Sequence, residues 1–102
     1  MVSREIRWTL AATRDKLSIF EYWTNRNQSA LYAEKLELLF NDTIKIVAIF
    51  PFAGIETNIT NVRIQIVKDF KLVYRIREEY IEVLKVWDTR QDPYGFNLKG
   101  YK

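Results

Sequence analysis

The chain has 102 residues, of which 48% are hydrophobic and 28% are charged. A chain of this length and composition is expected to fold as one globular domain over residues 1–102, with one core rather than two. It contains neither Cys nor His, which excludes disulfides, thiolate chemistry and the commonest general base and metal ligand. We therefore expect no cofactor and no metal. The net charge of +3 is compatible with an anionic partner.

The beginning of the chain shows no targeting signal. Charged residues occur within its first five positions, where a signal peptide needs its apolar core, and no run of about eighteen apolar residues follows. We expect a cytoplasmic protein without a membrane partner.

The first predicted elements are a strand and a helix. Residues 4–10 alternate between apolar Ile6, Trp8 and Leu10 and polar neighbours, as in a half-buried strand. Over residues 11–25 apolar residues recur at helical spacing between charged ones, which predicts an amphipathic helix. Its stripe toward the core comprises Leu17, Phe20 and Trp23, flanked by Ala12, Ile19 and Tyr22.

A second helix follows after a short polar connection at residues 25–29. Asn27 or Ser29 in this connection is suited to cap the free amide groups of the next helix. Residues 29–50 then carry apolar side chains every three or four positions until Pro51, where a helix cannot easily continue. Two helices joined so closely are expected to form an antiparallel hairpin.

The periodicity changes to two after a predicted loop at residues 52–58, in which Gly54 would tolerate positive φ. Alternating residues predict strands near 62–66, 72–77 and 81–87, joined by polar links short enough to make them antiparallel. The order β-α-α-β-β-β defines an α+β fold, in which the helical hairpin covers one face of an antiparallel sheet that includes the first strand. Residues 92–102 are expected to be irregular.

Five short motifs then occur in one order along nearly the whole chain. They are Ala33…Leu36, Pro51-x-x-Gly54, Val62-Arg63-Ile64, Leu72-Val73-Tyr74 and Trp87-Asp88-x-Arg90-Gln91-Asp92-Pro93. Each motif alone is weakly specific, but their order, spacing and placement on the predicted elements resemble toxins of the RelE/ParE superfamily.

This resemblance implies the toxin of a type II toxin–antitoxin module. Such a toxin is neutralised by a cognate antitoxin from the same operon, which wraps the toxin with a helix or strand. The partners it implies include a second copy of the toxin or a hetero-oligomer with the antitoxin. RelE-like members are ribosome-dependent endoribonucleases that cleave messenger RNA, whereas ParE-like members resemble inhibitors of DNA gyrase.

The nuclease alternative assigns roles to four residues. Cleavage by the 2′-hydroxyl needs proton transfer and cations that stabilise the pentavalent phosphate. By resemblance, Arg63, Lys71 and Arg90 would hold phosphate, and Tyr94 or a carboxylate would transfer the proton. The set is incomplete, because Lys71 stands where these nucleases carry arginine and its ammonium lacks the planar fork of a guanidinium.

The same residues also have structural interpretations. Arg63 and Arg90 can pair across strands with Asp88, Asp92 or Glu82. Tyr74 is expected in the core. Charged residues at alternating positions suit the solvated face of a one-sided sheet, as for Arg75, Arg77 and Lys85.

The length of the second helix and the missing histidine favour a ParE-like inhibitor of a protein target over the nuclease. A third hypothesis is a non-toxic domain that binds nucleic acid or protein and shares only the fold. On the helical hairpin, Leu31, Leu38 and Ile46 are predicted to form an apolar binding surface for the antitoxin or a second copy.

Overall fold

The computed structural model describes residues 2–90 and 96–101, and its regular elements are two long helices and a five-stranded sheet. Their bounds are β1 Glu5–Trp8, α1 Leu10–Asn27, α2 Leu31–Ile49, β2 Ile55–Glu56, β3 Val62–Val67, β4 Phe70–Ile76 and β5 Tyr80–Asp88. Short 3₁₀ turns occur at Pro51–Ala53 and Lys99–Tyr101. The predicted α+β fold with a helical hairpin is confirmed.

The sheet has the strand order β1-β5-β4-β3-β2 and is mixed rather than wholly antiparallel. The predicted meander of β3, β4 and β5 is antiparallel, whereas β1 pairs in parallel with β5 from Glu5↔Tyr80 to Trp8↔Val83. A two-residue link forces antiparallel pairing, but a connection through two helices permits either direction. The strand directions therefore correct the prediction only at β1.

A short strand lies in the segment that the sequence predicts as a loop. Ile55 and Glu56 form β2, which pairs antiparallel with Ile64 and Arg63 of β3. Two residues are too few to show an alternating pattern. In the same segment Gly54 has φ −72°, so the loop does not use the positive φ that a glycine tolerates.

Helix α1 begins at a residue that also ties it to the sheet. The Thr9 hydroxyl accepts a hydrogen bond from the amide of Ala12 at 3.1 Å and donates to the carbonyl of Val83 at 2.8 Å. Ala12 and Ile19 are buried, but Leu17 is 57% exposed, contrary to the predicted stripe. At about 100° per residue, Leu17 lies roughly 140° around the helix from Ala12 and so faces solvent.

Helix α2 supplies most of the helical contribution to the core and ends where expected, just before Pro51. The N-cap residue of α2 is Ala30, which makes no side-chain cap bond, but the hydroxyl of Ser29 one residue earlier accepts a hydrogen bond from the amide of Leu31. Phe50, at the end of the predicted stripe, is 50% exposed because the helix has ended at Ile49. Neither described helix is long and apolar enough to cross a membrane. The buried residues of α2 are Ala33, Leu36, Phe40, Ile44, Val47 and Ala48.

Apolar residues pack on both faces of the sheet, not on one face as predicted. The main cluster lies between the helices and one sheet face and includes Phe40, Phe70 and Tyr74. We call the opposite face the outer face; there Val62, Ile64, Val73 and Leu84 are buried. They are covered in part by Phe96, Leu98 and Tyr101 of the tail. The described part of the tail is thus packed on the sheet, and residues 91–95 lie outside the described residues.

We expect Asp15→Ala to lower the free energy of unfolding by about 1–3 kcal/mol. The Asp15 carboxylate accepts a hydrogen bond at 3.0 Å from the backbone amide of Val86, next to a β-bulge in the β4–β5 pairing. Its removal leaves that part-buried amide without a partner. Urea unfolding measures the effect, and Asp42→Ala on the exposed side of α2 is the matched control. Equal losses for both variants would contradict the role of this bond.

Candidate functional site

Of the four site residues predicted from the sequence, Arg63 lies on β3. One of its guanidinium nitrogens donates to two backbone carbonyls, those of Phe52 and Gly54, both at 3.1 Å. The guanidinium carbon also lies 5.3 Å from the centre of the Phe52 ring. Arg63 therefore holds the segment between α2 and β2. Among the described residues it pairs with neither Asp88 nor Glu82, and Asp92 lies outside them. The carbonyls that it does bind lie too far along the chain for sequence patterns to indicate them.

Tyr74 on β4 lies beside Arg63 in the strand register and holds the same segment from within the core. Its side chain is fully buried, and its hydroxyl donates to the carbonyl of Pro51 at 2.7 Å. Burial raises the pKa of this hydroxyl, which keeps it a neutral donor. A Cβ atom at Gly54 would lie 2.2 Å from the hydroxyl oxygen. We call Pro51, Gly54, Arg63 and Tyr74 the clasp.

Arg90, just after β5, is occupied by acidic partners. Its backbone amide donates to the Asp88 carboxylate at 3.0 Å, and its side chain pairs with Asp88 at 3.3 Å and Asp69 at 3.5 Å. The guanidinium also lies 5.1 Å from the centre of the Trp23 ring. The hydrogen bond to Asp88 raises the pKa of Arg90. The predicted pairing of Arg90 with Asp88 is therefore present.

Lys71 on β4 lies on the outer face of the sheet, away from the helices. It sits opposite Trp87 of β5 in the strand register, and its ammonium nitrogen is 4.6 Å from the centre of the Phe96 ring. It forms no ion pair among the residues that the structure describes.

The three cations thus do not converge on one point. Arg63 and Arg90 belong to the face that packs on the helices, whereas Lys71 belongs to the other. In the strand register Arg63 lies opposite Tyr74, whereas Asp88, two residues before Arg90, lies opposite Phe70. Tyr74 and Phe70 are four residues apart on β4, so the backbones of the two arginines are separated by about 13 Å or more. Tyr94 lies outside the described residues. The described members of the predicted catalytic set, Arg63, Lys71 and Arg90, are therefore not arranged to bind one phosphate together.

An open apolar groove lies between α2 and the edge of the sheet. It has a volume of about 380 Å³ and is lined by Leu39, Thr43, Ile46, Gln65, Ile66, Val67 and Lys68. Ile46 and Ile66 are 59% and 55% exposed. The hairpin residues Leu31 and Leu38 are also exposed, as predicted. The sequence did not predict the part of the groove formed by β3. The alternation along β3 shows which residues share a face of the sheet but not which of them lie beside α2.

Beside the groove, β3 has a free edge. The Thr57 hydroxyl donates to the carbonyl of Val62, so the even-numbered residues of β3 direct their backbone groups away from β4. The two residues of β2 reach only as far as Ile64. The backbone groups of Ile66 therefore face an edge that no described strand occupies.

Comparison with known proteins places this fold in a class. A solved structure described as the chromosomal ParDE TA system from P. aeruginosa is similar, with a TM-score of 0.70 at 18% identity. The match covers 82% of this chain and 94% of that one, and ten chains of known structure match in all. The helical hairpin on this sheet is a RelE/ParE-like fold.

The family follows from a second comparison. The family model described as the ParE toxin of the parDE type II toxin–antitoxin system matches residues 6–93. The chain belongs to this ParE toxin family. No curated protein matches it.

The clasp can be tested by a double-mutant cycle. Gly54→Ala should lower the free energy of unfolding by about 1–3 kcal/mol, because the added methyl group overlaps the Tyr74 hydroxyl. Tyr74→Phe should cost about 1–3 kcal/mol, because it leaves the Pro51 carbonyl without its donor. The double variant should lose less than the sum of the two, since the phenylalanine lacks the overlapping oxygen.

Urea unfolding of the four proteins measures this cycle. Gly100→Ala is the control, since a Cβ at that position meets no atom within 4 Å and should leave stability unchanged. Strictly additive losses would show that Gly54 and Tyr74 do not contact each other in solution.

Proposed function

We propose that this protein is a growth-inhibiting toxin that acts in the cytoplasm by binding a protein target and is neutralised by a cognate antitoxin. Membership of the ParE toxin family supports the toxin role. The resemblance to ParE-like inhibitors supports DNA gyrase as the target. In this proposal the toxin has no catalytic chemistry of its own.

This proposal rests on the structural bonds made by the two arginines of the predicted nuclease set. Both are committed to structural bonds: Arg63 to the carbonyls of Phe52 and Gly54, and Arg90 to Asp88. A nuclease needs cations aimed at one phosphate and groups placed to move protons. A surface that binds a protein needs neither, which favours the inhibitor over the nuclease.

The groove between α2 and β3 supports a binding site for the antitoxin. It combines exposed Ile46 and Ile66 with the free edge of β3, so an extended segment could add to the sheet and insert an apolar side chain. Lys68 at the end of the groove suits an acidic residue of that segment. The groove is therefore proposed to bind an extended segment of the antitoxin that carries both apolar and acidic side chains.

The target can be tested by inducing the protein in cells and following plasmid supercoiling, DNA breaks and messenger RNA ends in one culture. We expect growth arrest with loss of negative supercoiling and intact messages. Purified protein should likewise inhibit supercoiling by gyrase in vitro while leaving RNA whole.

Cuts within codons would overturn the inhibitor and establish the nuclease alternative. Lys71→Ala would then test the predicted site, because it should abolish cleavage while thermal unfolding stays unchanged. Normal growth on induction of folded protein would instead indicate the non-toxic interaction domain.

The antitoxin site can be tested with Ile46→Glu. This charge in the groove should leave toxicity intact but weaken rescue by the antitoxin, with an affinity loss of at least tenfold, since it buries an unpaired carboxylate. Titration calorimetry against the antitoxin measures the loss. Leu17→Glu is the control, because Leu17 is equally exposed but lies on α1. Equal losses at both positions would show that binding is not localised to the groove.

A further inference from the structure

The positive charge of the protein is concentrated on the outer face of the sheet. Helices α1 and α2 together contain five basic and five acidic residues, so the helical side is neutral. Among the residues that the structure describes, the outer face of the sheet instead carries five basic residues against the two carboxylates of Glu5 and Glu82. These five, which we call the basic face, are Arg7, Lys71, Arg75, Arg77 and Lys85.

Three members of the basic face have no acidic partner among the described residues. Arg7 pairs with Glu5 and Arg77 with Glu82, whereas the four ion pairs found in the described chain include none from Lys71, Arg75 or Lys85. Lys71 to Arg77 spans roughly 20 Å along β4, and the strands β4, β5 and β1 cover about 10 Å across. The basic face is thus a cationic surface on which three of the five cations have no acidic partner among the described residues, and Phe96, Leu98 and Tyr101 of the tail pack on its apolar centre.

Aromatic rings lie among these cations. The Lys85 nitrogen is 5.0 Å from the centre of the Trp87 ring, and the Arg7 guanidinium is 4.0 Å from that of Tyr80. The Trp87 and Phe96 ring centres are 5.7 Å apart. Such rings can stack on unpaired bases, whose faces a duplex keeps hidden.

An open cleft of about 480 Å³ lies at one end of the basic face. Arg75 and Arg77 line it together with Asn58 and Asn61, whose side chains carry amide groups. The Arg75 guanidinium donates one hydrogen bond to the backbone carbonyl of Tyr101, and its other N–H groups can donate to a further oxygen. Guanidinium groups bind phosphate oxygens, and amide groups read the edges of bases.

We propose that the basic face binds single-stranded nucleic acid, with backbone phosphates on its cations and a nucleotide in the cleft. An acidic peptide would match the charge but would not make use of the aromatic rings beside the cations. The binding involves no cleavage and does not depend on which target the toxin blocks, because it is measured with an oligonucleotide alone.

The test is fluorescence anisotropy of a labelled 20-nucleotide single strand with the full-length protein over a series of salt concentrations. Lys71→Gln with Lys85→Gln should weaken binding at least tenfold and lower the slope of log affinity against log salt by about 1.4, or about 0.7 per lost cation. Lys35→Gln with Lys45→Gln removes the same charge from exposed positions on α2 and should change affinity less than twofold.

Three outcomes would overturn the proposal: equal losses in the two double variants, tighter binding of a duplex of the same length, or displacement of the strand by an equal charge of polyglutamate. Thermal unfolding checks that each variant is folded. If the outer-face variant does not fold, amide chemical shifts of the unmodified protein decide. The oligonucleotide should then move signals of β4 and β5, and shifts confined to the helices would reject the site.

Discussion

The hydrogen bond from the Tyr74 hydroxyl to the Pro51 carbonyl fixes where the helical hairpin meets the sheet. Tyr74 belongs to β4, the central strand, and Pro51 follows directly on α2. The bond fits because Gly54 leaves room for the hydroxyl, and Arg63 ties the same segment from the neighbouring strand. Since a buried carbonyl without its donor is costly, these groups set the position of α2 and of β2 together.

This arrangement gives a physical meaning to the motifs that indicated the family. Three of them, around Pro51, Arg63 and Tyr74, lie apart in the sequence and meet in the clasp. Their shared task is to join two layers of the fold. The motifs are therefore evidence for the architecture of a ParE toxin. A cation within them is not by itself evidence of catalysis.

The two layers present surfaces of different chemistry. Between α2 and the edge of β3 the protein exposes an apolar groove, where Ile46 and Ile66 favour a protein partner. On the outer face of the sheet it exposes cations and aromatic rings, which suit a polyanion. The two surfaces adjoin at Ile66, which lies opposite Lys71 in the strand register, and our proposals assign them to different ligands.

The sequence by itself determined the two helices, the first strand, the three strands of the meander and the family, since these depend on periodicity and on motifs along the chain. The helix ends near Pro51 and the three strands of the meander follow from local patterns. Only the tertiary structure decided the parallel pairing of β1, the exposure of Leu17 and the bonds of Arg63. These features depend on partners distant in the chain, which strand alternation and helical spacing do not specify. For the same reason the sequence did not show that Arg63 and Arg90 lie on one face of the sheet and Lys71 on the other.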